Sequence, residues 1–294
     1  MTTFSGLLVA LATPFTPDGS VDLPAFKRVV RHVVDGGGDG LVVLGSTGEA
    51  ATLVEAERDA LIDACLECAG TVPVIAGTGS NATRQTELWT RRAQDLGVQG
   101  ALVVTPYYNK PTPDGLVAHY QAVAQAAPGL PLIVYNVPGR TGLNVTPATL
   151  SRLWENPAVV AVKESSANLI QIAEIARTLP AGKTLLSGDD NLALASIAVG
   201  ASGLISVLGN LAPRETKKLV TLALAGRRSE AAAQLYALLP LMDALFLESN
   251  PIPLKAALAQ KGICGDAVRL PLVAANAATR ARLAELLGQE VGVN

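Results

Sequence analysis

The sequence predicts an α/β protein of the (β/α)8 class, a TIM barrel, with a small C-terminal helical appendage. A strand-then-helix alternation repeats roughly every 30 residues along most of the chain. The strand segments are short, β-branched and apolar without alternation, which is typical of parallel strands that are covered on both faces. Eight such units in succession favour a closed barrel.

The strand candidates share this apolar pattern and lie at residues 7–12, 40–44, 72–76, 101–105, 132–135, 159–163, 184–187 and 204–207. Amphipathic helices are predicted between them, for example at residues 23–34, 83–96 and 169–178. Four prolines stand near expected helix starts, where a missing N–H does no harm: Pro24, Pro113, Pro147 and Pro213.

The strand pattern stops after Ala225, and only helical patterns follow, at residues 227–247, 253–260 and 274–287. The chain has 294 residues, which suits one large domain with or without a small addition. We therefore expect a catalytic barrel in residues 1–225 and a C-terminal helical region in residues 226–294.

Composition narrows the classes of partner. The formal net charge is -2 without a basic block, and aromatic residues make up 4%, which argues against nucleic acid. No apolar stretch approaches the ~20 residues of a membrane helix, so we expect no membrane partner.

Three cysteines, an odd number, favour a reducing cytoplasm over a disulfide framework. Two histidines without metal-ligand spacing predict no metal site.

Chemistry-bearing side chains cluster where the expected strands end, which is the face that carries active sites in such barrels. Of the eight lysines, only Lys163 closes an apolar run. Burial disfavours the charged form of a lysine, and the neutral amine is a nucleophile toward carbonyl groups. The ordinary alternative is a lysine that extends from a strand end to solvent. Tyr135 ends the preceding strand, so its phenol is expected near the amine, as a proton shuttle or as a core tyrosine.

Three turns after strands each have two interpretations. The turn at residues 45–49 offers backbone N–H groups to a carboxylate, or it is a helix cap that uses Ser46 or Thr47. The turn at residues 77–81 lacks the spacing of a phosphate loop, which favours capping. The aspartates at residues 189–190 have the chemistry to hold Mg²⁺, but a capping role for the helix that follows is favoured.

Four motifs in one order carry a family resemblance: Val-Lys-Glu at residues 162–164, Gly-Ser-Thr-Gly-Glu at 45–49, Pro-Tyr-Tyr-Asn at 106–109 and Tyr-Asn-Val-Pro-Gly-Arg-Thr-Gly at 135–142. They resemble the pyruvate-dependent class I aldolase/lyase superfamily and, within it, the dihydrodipicolinate synthase family. The resemblance runs from Gly6 to the segments at residues 250–253 and 269–272, so it covers nearly the whole chain.

The resemblance implies condensation of pyruvate with L-aspartate 4-semialdehyde through a lysine Schiff base to give 4-hydroxy-tetrahydrodipicolinate. This is the first committed step of the diaminopimelate and lysine pathway, and it needs no metal or organic cofactor. It also implies a cytoplasmic homotetramer, a dimer of dimers. Lys163 would form the imine and Tyr135 would be the central acid/base. Ser46 and Tyr108 would complete a hydroxyl relay, with Tyr108 reaching in from a neighbouring subunit.

For substrate binding, the resemblance implies that Thr47 holds the pyruvate carboxylate, largely through its backbone, and that Ile205 contacts pyruvate through its main chain. Arg140 would bind the carboxylate of the semialdehyde. Most of the family has Thr where this chain has Ser46, so the hydroxyl is retained and a methyl group is lost.

Two other functions stay open at this point. One is another aldolase of the superfamily, an N-acetylneuraminate lyase or a 2-keto-3-deoxy sugar acid aldolase. The sialic-acid lyases often carry Ser at position 46, but they lack the counterparts of Arg140 and of the Tyr-Tyr-Asn arrangement. The other is a non-catalytic barrel or regulatory binding protein, which would form no imine with any keto acid.

The resemblance also bears on regulation. In family members that lysine inhibits, the inhibitor binds at a subunit interface lined by the counterparts of Tyr107 and Asn81. A glutamate there usually meets the α-ammonium of the inhibitor, and a histidine lies near its side chain. The matching positions here hold Gln85 and Glu55, with Arg58 close by. Gln85 puts a neutral amide in place of an ion-pair partner, and Arg58 adds a positive charge close to a cationic ligand. We therefore predict weak or absent inhibition by lysine.

Overall fold

The computed structural model describes residues 4–288 and contains the closed parallel barrel that the sequence predicts. The strands pair in sequence order and β8 closes onto β1. Their bounds are β1 Gly6–Ala10, β2 Gly40–Val43, β3 Val74–Gly77, β4 Gly100–Val104, β5 Leu132–Asn136, β6 Val159–Glu164, β7 Thr184–Ser187 and β8 Gly203–Ser206. All eight predicted strands are thus confirmed, with ends shifted by no more than two residues.

Helices cover the outside of this barrel. They are α1 Leu23–Asp35, α2 Glu55–Ala69, α3 Thr83–Leu96, α4 Pro113–Ala126, α5 Pro138–Thr141, α6 Pro147–Leu153, α7 Leu169–Arg177, α8 Ala193–Ala198 and α9 Pro213–Leu224. Short 3₁₀ turns lie at Ser46–Gly48, Ala50–Thr52, Asp190–Leu192 and Leu208–Asn210. The four prolines noted in the sequence occupy the first or second positions of α1, α4, α6 and α9, which confirms their predicted role.

The C-terminal helices are α10 Arg228–Ala244, α11 Ile252–Gln260 and α12 Ala277–Gly288, so the predicted helical region is confirmed over its described residues. Helix α10 packs on α9, and α12 packs on both α10 and α11. The division into residues 1–225 and 226–294 stays a prediction, and residues 289–294 lie outside the described part. No helix within residues 4–288 is long and apolar enough to cross a membrane.

The alternation of side chains along the strands decides which residues face the inside of the barrel. Ile133 and Tyr135 on β5, Ala161 on β6 and Ile205 on β8 belong to one buried cluster inside the barrel. Because side chains on a strand repeat every two residues, Lys163 on β6 faces the same side as Ala161. The fold therefore directs the sequence-predicted lysine toward the barrel interior at the carboxyl end of its strand.

Candidate active site

Strands β5 and β6 bring an amine and a phenol together at the mouth of the barrel. Their register pairs Tyr135 directly with Lys163. Lys163 is only 5% exposed, and its Nζ lies 4.2 Å from the centre of the Tyr135 ring. The lysine therefore does not extend to solvent, and its amine lies over the face of an aromatic ring.

Space for the Lys163 side chain depends on Gly188, the residue after β7. A Cβ at that position would lie 2.8 Å from Lys163 Cε and 1.9 Å from Ser165 Oγ. Any other residue would therefore push against the lysine. The sequence interpretation missed Gly188, although a glycine directly after the strand next to that of Lys163 was a usable signal.

A cavity of about 440 Å³ lies between the strand ends and the C-terminal region, with Tyr135 on its wall. Of the sequence-predicted site residues, Ser46, Tyr135 and Arg140 line it. The C-terminal region contributes Ser249, Asn250, Pro271 and Leu272 to its wall. Residues on both sides of position 225 thus build one cavity.

The other predicted residues, Lys163 among them, are not on the wall of this cavity. Thr47 is buried, and its Oγ1 accepts a hydrogen bond from Asn250 Nδ2 at 2.9 Å. Ile205 lies in the same interior cluster as Tyr135. Tyr108 is 88% exposed, has a positive φ of 73°, and does not line the cavity of its own chain.

Arg140 stands at the cavity edge on the short helix α5. It is exposed, and one of its guanidinium nitrogens lies 3.4 Å from the carbonyl oxygen of Asn250. The charged group is therefore available to an anion that enters the cavity. Asn250, which sequence reasoning did not single out, contacts both Thr47 and Arg140.

The turn after β2 is not a side-chain cap. Gly45 precedes the 3₁₀ turn at Ser46–Gly48, and neither hydroxyl bonds to the backbone in a capping position. Instead, the backbone closes on itself, with Gly48 N donating to the Gly45 oxygen at 3.0 Å. The capping interpretation of Ser46 and Thr47 was wrong because the turn is closed by its own main chain, which leaves Ser46 free on the cavity wall.

The capping interpretation of residues 77–81 was also wrong. Helix α3 begins after Ala82, which makes no side-chain cap. A Cβ at Gly77 would lie 2.0 Å from the carbonyl oxygen of Leu44. Glycine is required there because the end of β3 passes against the backbone that leads into the turn of Ser46.

The aspartates after β7 do not cap a helix either. The Asp190 carboxylate accepts hydrogen bonds from Ser206 Oγ, from Val207 N at 2.9 Å and from Leu208 N at 3.2 Å, so it fixes the turn after β8. Asp189 makes no side-chain cap, its Oδ2 is buried without a hydrogen-bond partner, and burial raises its pKa to about 6. Within residues 4–288 no group of three His, Cys, Asp or Glu is placed to hold a metal ion.

A second pair supports Tyr135 and Lys163 from the outer face of the barrel. Asn136 Nδ2 donates to both oxygens of Glu164, at 3.1 and 3.0 Å. Ser166 N donates to the same carboxylate at 2.8 Å. Burial raises the pKa of Glu164. These bonds fix the register of β5 on β6 one residue beyond the amine and the phenol.

The outer part of the cavity is closed by Arg58. Its guanidinium donates to the Ala50 oxygen at 3.2 Å and to the Gly77 oxygen at 2.7 Å, and it lies 3.9 Å from the centre of the Trp89 ring. Burial lowers the pKa of Arg58 to about 10, so the group is still a cation at neutral pH. Tyr107 also lines this part of the cavity.

Known dihydrodipicolinate synthases match this chain in both sequence and fold. The Dihydrodipicolinate synthetase family matches residues 3–290. A 4-hydroxy-tetrahydrodipicolinate synthase from Sorangium cellulosum is 48% identical over 286 residues, which cover 96% of this chain and 95% of that protein. A crystal structure of the dihydrodipicolinate synthase from Acinetobacter baumannii, complexed with pyruvate, is 39% identical with a TM-score of 0.95 and covers 97% of this chain and 98% of that chain.

A crystal structure of the enzyme from Cyanidioschyzon merolae with lysine bound is 38% identical, with a TM-score of 0.94 and 97% of each chain covered. The matches thus extend over nearly the whole chain in both sequence and fold, and they agree with the motifs around Lys163. The chain belongs to the dihydrodipicolinate synthetase family.

Proposed function

We propose that this protein is a lyase-type enzyme, a 4-hydroxy-tetrahydrodipicolinate synthase, which condenses pyruvate with L-aspartate 4-semialdehyde. The observation that carries the proposal is Lys163, enclosed at the barrel mouth with its Nζ 4.2 Å from the ring of Tyr135. The names of the relatives support this activity over a sugar-acid aldolase. The product would enter diaminopimelate and lysine biosynthesis.

Pyruvate is activated first. The neutral amine of Lys163 attacks the ketone carbon, and the ketone oxygen leaves as water, which gives a protonated imine. Tyr135 supplies and removes protons in this step; its ring lies 4.2 Å from the amine and its side chain lines the cavity, which supports this role. Thr47 holds the pyruvate carboxylate, largely through its backbone, and Ile205 contacts pyruvate through its main chain.

The second substrate then reacts at the former methyl group of pyruvate. The imine withdraws electrons, a methyl proton leaves, and the resulting enamine carbon attacks the aldehyde. Arg140 binds the carboxylate of the semialdehyde, since a guanidinium suits that group and this one is exposed at the cavity edge. The amine of the condensed product attacks the imine carbon, displaces Lys163 and closes a six-membered ring.

Ser46 and Tyr108 complete the relay of protons between Tyr135 and solvent. The position of Ser46 on the cavity wall supports its role. Tyr108 is 88% exposed and does not line the cavity of its own chain, so it is available to a neighbouring subunit. We therefore propose a homotetramer, a dimer of dimers, in which Tyr108 enters the site of a neighbouring subunit. A cytoplasmic location fits the three free cysteines.

The test is a coupled assay with pyruvate and aspartate semialdehyde, together with borohydride reduction in the presence of pyruvate alone. We expect turnover in the assay and a reduced pyruvyl group on the peptide that contains Lys163. Lys163→Ala should lose the label and orders of magnitude in rate. A label on Lys110 or Lys255, or cleavage of N-acetylneuraminate in place of condensation, would contradict the proposal.

A further inference from the structure

A buried ion pair joins the turn after β2 to the C-terminal region. Lys255 Nζ on α11 donates to Glu49 Oε1 at 2.7 Å, and the two side chains are 0% and 2% exposed. The other carboxylate oxygen of Glu49 accepts a hydrogen bond from the backbone N–H of Arg269 at 3.1 Å. The ring of Phe15 covers the pair, with its centre 4.2 Å from Lys255 Nζ. Both charged side chains are thus buried, and both oxygens of the Glu49 carboxylate are hydrogen-bonded.

A buried ion pair of this kind adds little to the free energy of unfolding. Removing two charges from water costs free energy that their attraction often fails to return. Burial lowers the pKa of Lys255, although the neighbouring charge of Glu49 opposes that shift. Glu49 also has a left-handed backbone with φ of 52°, which a non-glycine residue keeps only where its surroundings hold it. These two unfavourable features at one residue indicate a role in positioning.

Glu49 is placed to control the residues just before it. Its backbone N–H donates to the carbonyl oxygen of Ser46 at 3.1 Å, and its own carbonyl oxygen accepts from Thr52 N at 3.0 Å. The left-handed turn at Glu49 therefore closes the 3₁₀ turn that contains Ser46 and Thr47. The Arg269 guanidinium donates to the Thr52 carbonyl oxygen at 2.9 Å, so the far end of the segment is anchored to the same region.

We propose that Glu49 and Lys255 are positioning residues for the pyruvate site. Their ion pair fixes the turn so that Thr47 presents its backbone to the pyruvate carboxylate and Ser46 presents its hydroxyl to the cavity. The inference rests on the proposed function. It adds that the charge pair, through the shape of the turn, sets the affinity for the keto acid.

The test compares the double variant Glu49→Gln/Lys255→Met with the native enzyme. The double variant removes both charges at similar volume, whereas each single variant leaves one charge unpaired in the interior. The measurement is the pyruvate concentration that gives half-maximal borohydride trapping on Lys163. We expect it to rise roughly ten- to a hundredfold, which is the range for loss of a hydrogen bond to a charged group.

The matched control is Asp39→Asn/Lys217→Met, which removes an ion pair of 2.5 Å at the opposite end of the barrel. It should change thermal stability but not the half-maximal pyruvate concentration. A second variant, Glu49→Asp, keeps both charges and shortens the side chain by one methylene. It should also raise the half-maximal concentration, and it decides the question where the double variant does not fold.

Unchanged trapping in a folded double variant, or in Glu49→Asp, would overturn the positioning role and leave a structural pair. A shift as large in the Asp39/Lys217 control would overturn it as well. Failure of the proposed function gives a different result, because the native enzyme itself would then show no pyruvate-dependent label on Lys163.

Discussion

Arg140 and Asp189 are both ionisable residues that follow barrel strands, β5 and β7, but their surroundings give them opposite properties. Arg140 is exposed, and its charge is free to meet an anionic substrate. Asp189 is largely buried, one of its oxygens has no partner, and its pKa is raised to about 6. The charge of Arg140 therefore suits its proposed role in binding an anion, while the charge of Asp189 destabilises the folded state at neutral pH.

Replacing Arg140 should impair the reaction with the semialdehyde but not imine formation with pyruvate. In Arg140→Ala, kcat/KM for the semialdehyde should fall roughly ten- to a hundredfold, because a charge-assisted hydrogen bond is worth about 1.5–3 kcal/mol. Imine formation with pyruvate should survive, as measured by borohydride trapping. An unchanged kcat/KM for the semialdehyde would remove Arg140 from the site.

Asp189 should make the stability of the fold depend on pH. Its pKa of about 6 in the folded state exceeds the ordinary value of 3.8, mainly through burial. Its stabilising contribution is therefore complete below pH ~4 and is lost as the pH rises through about 6. Asp189→Asn should raise the free energy of unfolding at pH 8, by up to about 3 kcal/mol, and leave it nearly unchanged at pH 4. Denaturant unfolding at both pH values measures this, and an equal effect at both would refute it.

The positive charge of Arg58 should oppose the binding of lysine as an inhibitor. It lies buried against Trp89 as a cation, in the part of the cavity that Tyr107 also lines. A cationic inhibitor would meet its charge, while Gln85 supplies no counter-charge. We predict weak or absent inhibition, which a titration of the rate with lysine measures. Half-inhibition at sub-millimolar lysine would show that Glu55 has taken over the ammonium contact.

Among the secondary-structure elements, strands β5, β6 and β7 together position the side chain of Lys163. The bonds of Asn136 to Glu164 fix β5 on β6, and this register places Tyr135 against Lys163. Gly188 then lets the backbone after β7 pass close to the lysine. The position of the amine thus depends on the spacing of three strands.

Gly188→Ala tests this spacing. The added methyl group would stand 2.8 Å from Lys163 Cε and 1.9 Å from Ser165 Oγ, so the lysine must move. We expect at least a tenfold slower rate of pyruvate-dependent trapping on Lys163, with the barrel still folded by circular dichroism. As a control, Gly288→Ala at the end of α12 has no atom within 4 Å of its added Cβ, and it should leave the trapping rate unchanged. Native trapping rates in Gly188→Ala would show that the site tolerates the methyl group.

For the whole molecule, the proposed assembly makes Tyr108 a shared residue. Tyr108→Phe should lower kcat while the mass in solution stays that of the native oligomer. Mixed oligomers of Tyr108→Phe and Lys163→Ala subunits should regain activity, because some sites then combine a native lysine with a neighbour's native tyrosine. Analytical ultracentrifugation and the assay measure both effects. Mixtures without any gain would contradict the shared site.

The sequence predicts the barrel well because its signals are local. Apolar runs, helix periodicity and prolines at helix starts need only neighbouring residues, and all eight strands follow from them. Lys163 was found in the same way, from the run that it closes. The turns were harder, because the partners of Asp190 lie 16 to 18 residues away and the partner of Glu49 lies 206 residues away. No local pattern shows such contacts, although a lysine in the apolar helix α11 was a signal of the same kind as Lys163.

The contacts of the C-terminal region with the turn after β2 have a consequence for the order of biosynthesis. A ribosome completes the last strand at Ser206, which is 44 residues before Asn250, 49 before Lys255 and 63 before Arg269. Until then Glu49 has no counter-charge and Thr47 lacks the amide that holds it. The proposed pyruvate site would therefore be complete only after the segment at residues 250–269 has been translated.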